Sequence, residues 1–189
     1  MAATELPDTY AYGICELNRK TLVRGCMTAR HVSPLAMAVE LALFPLAKHL
    51  MLNSQISVAA TIGVSGTRAI SRRGSGRLPE CGEIADAMRL VQSSFFGNVD
   101  IVEMRSGGAD GLMAVISMPC PMPIGEIRPL YEKAYEDHSF TYVSEDIVDT
   151  RDVAGTNKCL LHLDKVDDTL HITAVLDPCI KGGAGNAVH

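Results

Sequence analysis

An amphipathic pattern begins directly after Ser33 and Pro34. The hydroxyl of Ser33 can cap a helix, and a proline in the first turn loses nothing there because its missing amide hydrogen would have no partner. Apolar residues then recur every three or four positions, which predicts a helix over residues 34–49 with one face against a core. Pro45 is expected to kink or shorten the last turn of this helix, since proline cannot donate a backbone hydrogen bond.

Similar patterns predict two further helices and five strands. Helical spacing recurs in residues 80–92 and again from Pro123 onwards. The last two strands are separated only by KVDD, which predicts a hairpin. The elements do not follow a strict βαβ order, so one α+β domain over residues 1–189 is expected, a mixed sheet covered by helices. The predicted strands are residues 55–61, 99–104, 111–118, 157–164 and 169–177.

Composition narrows the class of protein. Of the 189 residues, 47% are hydrophobic, so the chain can bury a substantial core. The net charge of −5 is spread along the sequence, and the one arginine cluster (68–77) is interleaved with glycine and serine, which argues against nucleic-acid binding. Charged residues and a proline interrupt the longest apolar run, 37–52, so no membrane span is expected. Six cysteines without a CxxC pair, and no signal-like start, favour a reduced cytoplasmic protein.

Cys26 lies close in sequence to two cationic side chains. Arg30 and His31 follow it, and nearby positive charge lowers the pKa of a thiol and favours a nucleophile. The alternative is a small buried residue before a helix, which needs no chemistry. Cys159 and Cys179 fall within strand-like apolar patterns and are expected to be packing residues.

Two histidines of the hairpin are candidate metal ligands. With the turn centred on Val166 and Asp167, His162 and His171 would lie opposite one another on one face. Two imidazoles could begin a zinc site, but no third ligand at suitable spacing is evident. A solvated cross-strand pair is therefore expected, and no metal is assigned.

Two glycine-containing turns are candidate anion sites, because backbone amides and a nearby cation favour phosphate or carboxylate. One is GVSGTR, and the other is IKGGAGNAVH, where glycines precede a predicted helix start. An ordinary Gly-Ser loop and an ordinary strand-to-helix turn are the alternatives. The candidate residues are Gly63, Ser65, Gly66 and Arg68 in the first turn, and Lys181, Gly182 and Gly185 in the second.

Six segments, taken in order, resemble one protein family. They are YAYGICELNR, LALFPLAKH, GVSG, LYEKAYEDHSF, GTNKC and LDPCIKGGAGNAVH, and they extend from about Tyr10 to His189. Together they resemble the catalytic and dimerisation domain of N-acetyl-γ-glutamyl-phosphate reductase, the member of the semialdehyde dehydrogenase superfamily that acts in arginine biosynthesis. The resemblance implies a largely antiparallel mixed sheet covered by helices, and a homodimer formed through that sheet.

The same resemblance implies a dinucleotide-binding domain of the Rossmann type beside this one. The chain has no G-x-G-x-x-G motif after a strand, so no Rossmann domain and no complete NADP site are expected within it. No cofactor is therefore expected for this chain alone. NADP is expected where a Rossmann domain is supplied, for example by a separate partner chain.

The reactive residues of the family do not match this sequence. The family's nucleophile is a cysteine at the start of the first long helix. Ungapped counting back from LALFPL puts Pro34 there, and a one-residue gap puts Val32 or Ser33 there. The family's catalytic histidine falls among Arg77, Leu78 and Glu80, and its substrate-holding arginine is replaced by Asp110.

Three functions are open on this basis. The expected one is a divergent reductase-like domain, catalytically silent alone, that serves dimerisation, small-anion binding or both. The alternative is the working part of an NADP-dependent reductase for N-acetylglutamyl phosphate or a related acyl phosphate, completed by a separate cofactor domain and using Ser33 or Cys26. A third is a redox or metal-binding module built on Cys26 with His162 and His171.

Overall fold

The computed structural model describes residues 11–24, 29–52, 55–63, 78–107 and 111–185. All three predicted helices and all five predicted strands are present in these ranges. The helices are α1 (Cys15–Val23), α2 (Pro34–Lys48), α3 (Pro79–Val91) and α4 (Ile124–Tyr135), with a 3-10 turn at Thr150–Asp152 and a π-helical turn at Ile180–Ala184. The strands are β1 (Ala11–Tyr12), β2 (Ala29–Arg30), β3 (Ile56–Ile62), β4 (Val99–Arg105), β5 (Leu112–Pro119), β6 (Thr141–Ser144), β7 (Cys159–Val166) and β8 (Thr169–Leu176).

Six of the strands form one sheet in the order β4-β3-β5-β8-β7-β6. β3 is parallel to β4 and β6 is parallel to β7, whereas the three remaining pairs are antiparallel. The short strands β1 and β2 pair separately and in parallel. The predicted α+β class with a mixed, largely antiparallel sheet is confirmed, and the described residues contain no Rossmann-type unit.

Helices cover one face of the sheet. On β5, Leu112, Ala114 and Ile116 are buried beneath α2, while the residues between them are half-exposed. α2 also contacts α3 and α4, so only Phe44 and Lys48 of its residues escape burial. A helix with neighbours on several sides is apolar on most of its surface, as α2 is. Within the described ranges, no helix has the length and apolar character needed to cross a membrane.

Pro45 does not shorten α2, which continues for one further turn. A proline here leaves the carbonyl of Leu41 without the amide donor normally supplied four residues later. The buried hydroxyl of Tyr135 on α4 donates a hydrogen bond to that carbonyl. Burial raises the pKa of Tyr135 well above its usual range, so the phenol keeps the proton that it donates. The expected shortening is wrong because a neighbouring helix supplies the missing donor.

The hairpin of β7 and β8 turns at residues 167–168. His162 consequently pairs with Thr173, and Asp164 pairs with His171. The prediction that the two histidines lie directly opposite one another is wrong. The turn is centred one residue later than expected, which moves the register by two, and the histidines are diagonal neighbours on the same face.

Candidate functional site

A cleft of about 620 Å³ lies where the start of α2, the first turns of α3 and the turn after β8 meet. Three elements distant in sequence form its walls, because α2 packs against both α3 and the π-helical turn. Its volume is in the range of small-molecule sites. The lining residues are His31, Ser33, Pro34, Glu83, Pro178, Cys179, Gly182 and Gly183.

Ser33 caps α2 as predicted. Its backbone is extended, and its hydroxyl accepts a 3.1 Å hydrogen bond from the amide of Ala36. This bond satisfies one of the amides that the first turn of a helix leaves without a partner. The hydroxyl of this cleft-lining residue therefore already has a structural role.

Pro34 is buried and lies directly against Gly182. A Cβ atom placed on Gly182 would come within 2.5 Å of Cβ and 2.8 Å of Cγ of Pro34. Cβ atoms essentially never lie within 3.0 Å of such an atom, so any other residue at position 182 would force the proline ring or the turn to shift. Both residues line the cleft, and ungapped counting places Pro34 where the family resemblance calls for a nucleophile.

Two side chains hold the turn after β8 in place. The Oδ1 atom of Asp177 accepts hydrogen bonds from the amides of Cys179 (2.9 Å) and Ile180 (3.1 Å). The side-chain amide of Asn157 donates to the carbonyl of Gly185 at 3.2 Å. The predicted helix start is therefore a π-helical turn held by side-chain hydrogen bonds, and the carbonyl of Gly185 accepts one of these bonds from Asn157.

Lys181 does not line the cleft. Its ammonium group lies 2.7 Å from Oε1 of Glu16 on α1, and neither side chain is exposed to solvent. Thr141 donates a 2.8 Å hydrogen bond to the same oxygen, and the ring of Phe140 lies beneath the ammonium group. Burial raises the pKa of Glu16, but the charge and hydrogen bond of Lys181 outweigh it, and the net pKa is lowered. Lys181 has an interior partner in place of the predicted anion.

The first predicted anion turn lies mostly outside the described residues. Gly63 is described, and its amide donates a 2.8 Å hydrogen bond to the carbonyl of Gly111. That amide is therefore engaged within the protein. Of the other predicted positions, Cys26, Ser65, Gly66, Arg68, Arg77 and Asp110 lie outside the described residues.

Cys179 is not a packing residue of a strand. β8 ends at Leu176, and Pro178, which has no amide hydrogen, cannot extend the ladder. Cys179 is exposed on the cleft wall. Cys159, by contrast, is buried as expected, and burial raises its pKa to about 12. The sequence predicted the same packing role for both cysteines because the apolar pattern continues past Leu176, where β8 ends.

The second candidate surface is the open face of the sheet, the face opposite the helices. Val102 and Met104 on β4 are 65% and 51% exposed, and Val115 on β5 is half-exposed near the middle of this face. His162 and His171 also lie here, with Nδ1 of His171 2.9 Å from the hydroxyl of Ser117. Across the described ranges, no cluster of three or more His, Cys, Asp or Glu residues is arranged to bind a metal.

Comparison with known proteins gives consistent matches over nearly the whole chain. A family model described as semialdehyde dehydrogenase, dimerisation domain, matches residues 81–178, more than half of the chain. N-acetyl-gamma-glutamyl-phosphate reductase from Parabacteroides distasonis is 34% identical over 95% of this chain, and the Bacteroides fragilis protein of that name is 34% identical over 97%. The chain covers only 60% and 61% of the lengths of these relatives.

A solved structure shares the fold. Aspartate semialdehyde dehydrogenase II from Vibrio cholerae, complexed with ASA, superposes with a TM-score of 0.72 and 14% identity, covering 96% of this chain and 67% of that one. At this identity the likeness concerns the architecture alone.

Proposed function

This chain belongs to the semialdehyde dehydrogenase dimerisation-domain family, and on that premise we propose that it is a divergent reductase-like domain that self-associates through the open face of its sheet and is catalytically silent alone. The observation that carries the proposal is the position of Pro34. Ungapped counting places Pro34 where the family resemblance calls for a cysteine, and a one-residue gap places Val32 or Ser33 there, so none of the candidate positions carries a thiol. Pro34 is buried, and its ring lies against Gly182. A reduced cytoplasmic setting is part of the proposal.

The proposed lack of catalytic activity follows from the side chains present at the start of α2. Acyl transfer to a protein needs a nucleophile with a base nearby, and proline offers neither a thiol nor an amide hydrogen. Ser33 is the adjacent hydroxyl, but it accepts the capping bond from Ala36. Loss of a nucleophile removes most of the rate of a site whose residues act as a unit.

Self-association is supported by the open face. Apolar side chains of β4 and β5 lie on it: Val102 and Met104 are 65% and 51% exposed, and Val115 is half-exposed. Exposed apolar side chains gathered on one face mark an interaction surface. A symmetric pair, in which the same patch faces itself, is the commonest arrangement of soluble oligomers.

Small-anion binding is retained in the proposal. The cleft, which Gly182 lines, is a candidate site beside the GVSGTR turn, whose Ser65, Gly66 and Arg68 lie outside the described residues. His31 and Ser33 lie at the start of α2, where the helix dipole favours negative charge. A thermal-shift titration with phosphate and with N-acetylglutamate tests this. At a hundredfold excess over the dissociation constant a ligand adds about 2.7 kcal/mol of stability. Absence of any shift at millimolar ligand would rule out cleft binding by these anions.

Light scattering after size exclusion tests the dimer. We expect a dimer at micromolar concentration and a monomer for Val115→Glu, which places a charge in the middle of the open face. Leu90→Glu is the matched control because Leu90 is 78% exposed on α3, away from the sheet. A monomeric wild-type chain, or a dimer that survives Val115→Glu unchanged, would contradict the assigned surface.

The second candidate is the working part of an NADP-dependent acyl-phosphate reductase that a cofactor domain completes. It is favoured by the 34% identity to proteins named as reductases and by the 40% of their length that this chain does not cover. Incubation with acetyl phosphate, followed by peptide mapping by mass spectrometry, separates the two. The proposed lack of activity predicts no acyl group on Ser33 or Cys26. An acyl group on either residue that is absent from the corresponding Ser33→Ala or Cys26→Ala variant would favour the reductase.

A further inference from the structure

We propose that His162 and His171 make self-association through the open face of the sheet dependent on pH. The dimer forms when the two imidazoles are neutral, and it dissociates when they take up protons. This inference rests on the proposed dimer and adds a means of regulating it. Histidine is the side chain whose ordinary titration falls between pH 5 and pH 8, so a modest change of pH is enough to change its charge.

The two histidines lie close together on the open face. His162 on β7 pairs with Thr173 on β8, and His171 lies two residues before Thr173 on the same side of that strand, so the imidazoles are diagonal neighbours. Both side chains are half-buried in the single chain. Nδ1 of His171 lies 2.9 Å from the hydroxyl of Ser117 on β5, and this contact holds the ring over the sheet.

An apolar cluster already covers one end of the open face. Its members are Val148 and Val153 from the segment between β6 and β7, together with Met113, Leu160 and Val175 from the sheet. The three sheet residues form one row across β5, β7 and β8. The rows beyond this cluster contain the two histidines and Val115, and their side chains are half-exposed. A second copy that packs on the open face therefore contacts the rows that contain the histidines.

Charged side chains near the two imidazoles come from the neighbouring strands, the segments that follow them and α4. In the described part of the chain they are Asp100, Arg128, Glu145, Asp146, Asp149, Arg151, Asp152, Lys158, Asp164, Asp167 and Asp168. Asp164 is the direct cross-strand neighbour of His171, and it is exposed, so water screens its charge. The cross-strand neighbours of His162 are the uncharged Ser144 and Thr173.

Protonation opposes association for two physical reasons. Water solvates a charged imidazole in the free subunit, whereas a second sheet packed on the open face removes that water, which is costly for a charge. Two protonated histidines at diagonal positions also repel one another, and a symmetric pair brings the same two positive charges from the second copy into one interface. The dimer therefore has to release protons as it forms, and acid favours the free subunits.

Light scattering after size exclusion, over a dilution series at pH 8 and at pH 5.5, tests this inference on the intact chain. At pH 5.5 an imidazole in water is protonated about nine times in ten, and at pH 8 only rarely. If one histidine of each subunit has to lose its proton, each subunit contributes about tenfold, so Kd of the dimer should be about a hundredfold or more higher at pH 5.5. Far-UV circular dichroism at both pH values checks that the chain stays folded.

Histidine variants test the assignment. The double variant His162→Gln with His171→Gln keeps polar side chains that cannot take up a proton, so it should form the dimer at pH 8 and change Kd by less than about threefold at pH 5.5. His49→Gln is the matched control, because His49 is exposed at the end of α2 and should leave the pH dependence of wild type unchanged. Should the double variant not associate at pH 8, the two single variants decide, since each should depend on pH less than wild type.

The outcomes separate this inference from the dimer on which it rests. A wild-type dimer with the same Kd at both pH values, or one that tightens in acid, would overturn the pH dependence and leave the dimer in place. A double variant that responds to pH as strongly as wild type would overturn the assignment to these histidines. A wild-type chain that is monomeric at pH 8 would contradict the proposed dimer itself, and the inference with it.

Discussion

Replacement of Lys181 by methionine tests the buried ion pair that joins the turn after β8 to α1. The ammonium group lies 2.7 Å from the carboxylate of Glu16, and both side chains are fully buried. Methionine has a similar length and no charge, so it leaves the packing largely in place. The carboxylate of Glu16 keeps its hydrogen bond from Thr141 but loses its counter-charge.

The magnitude follows from the burial of the remaining charge. Removing one partner of a buried pair costs about 3–5 kcal/mol, because the other charge is left without compensation. For a domain of this size each kcal/mol lowers Tm by about 2–4 °C, so we expect a decrease of roughly 6–20 °C. The double variant Glu16→Leu with Lys181→Met should recover most of the loss, since an apolar pair of similar volume replaces an ion pair at little cost.

The effect of the pair depends on pH through Glu16. Its pKa in the folded protein is lowered from 4.5, so the carboxylate adds stability above the pKa of the unfolded chain. That stability disappears as the pH falls through the lower, folded pKa. In Lys181→Met burial dominates and should raise the pKa of Glu16 above 4.5, so the carboxylate of the variant takes up its proton first. The advantage of wild type should therefore be larger at pH 7 than in acid and should shrink as the pH falls through that raised pKa.

Urea unfolding followed by circular dichroism, at pH 7 and at steps down to pH 3, measures these differences. Lys133→Met is the matched control, because Lys133 is exposed on α4 and surface substitutions usually change stability by less than about 0.5 kcal/mol. A loss below about 1 kcal/mol for Lys181→Met at pH 7 would refute the reasoning, as would a loss that does not decline in acid.

Three further predictions concern stability and are measured by the same unfolding assay. Tyr135→Phe should cost about 1–3 kcal/mol by leaving a buried carbonyl of α2 without a donor, and less than about 1 kcal/mol in a Pro45→Ala background, where an amide returns to that carbonyl. Equal costs in the two backgrounds would contradict this coupling. Gly182→Ala should cost about 1–3 kcal/mol, because its Cβ would meet Pro34 at 2.5 Å. Gly82→Ala, in α3 with no atom within 4 Å of the added Cβ, should instead add about 0.5–1 kcal/mol, and a loss there would argue against the helix as described.

Local signals made much of the fold predictable from the sequence. Ser33 and Pro34 mark the start of α2 because a cap and a first-turn proline act within one turn. Alternation located β7 and β8 to within two residues, since one face of each is buried and the other is not. The turn between them was predicted one residue too early, and a one-residue shift of the turn changes the pairing of the strands by two residues. The predicted pairing of His162 with His171 was therefore wrong.

The candidate site was less predictable because its parts come together only in three dimensions. Cys179 looked like a strand residue, and nothing in its own neighbourhood indicated the cleft that α2 and α3 form around it. Ser33 and Gly182 were singled out separately, for a cap and for an anion turn. Their placement in one cleft depends on the packing of α2 against the turn after β8.

The sequence by itself predicted the three longest helices, five of the eight described strands and the α+β class, because each depends on residue identity and on spacing over a few turns. Only the tertiary structure decided the role of Lys181. Beside glycines a lysine is typical of an anion site, but its charge is neutralised by Glu16, 165 residues away in the sequence. Pro45 is similar, since a donor on α4 decides whether α2 continues past it. Both outcomes depend on long-range contacts, and a buried charge or carbonyl takes whichever partner the fold brings within hydrogen-bonding distance.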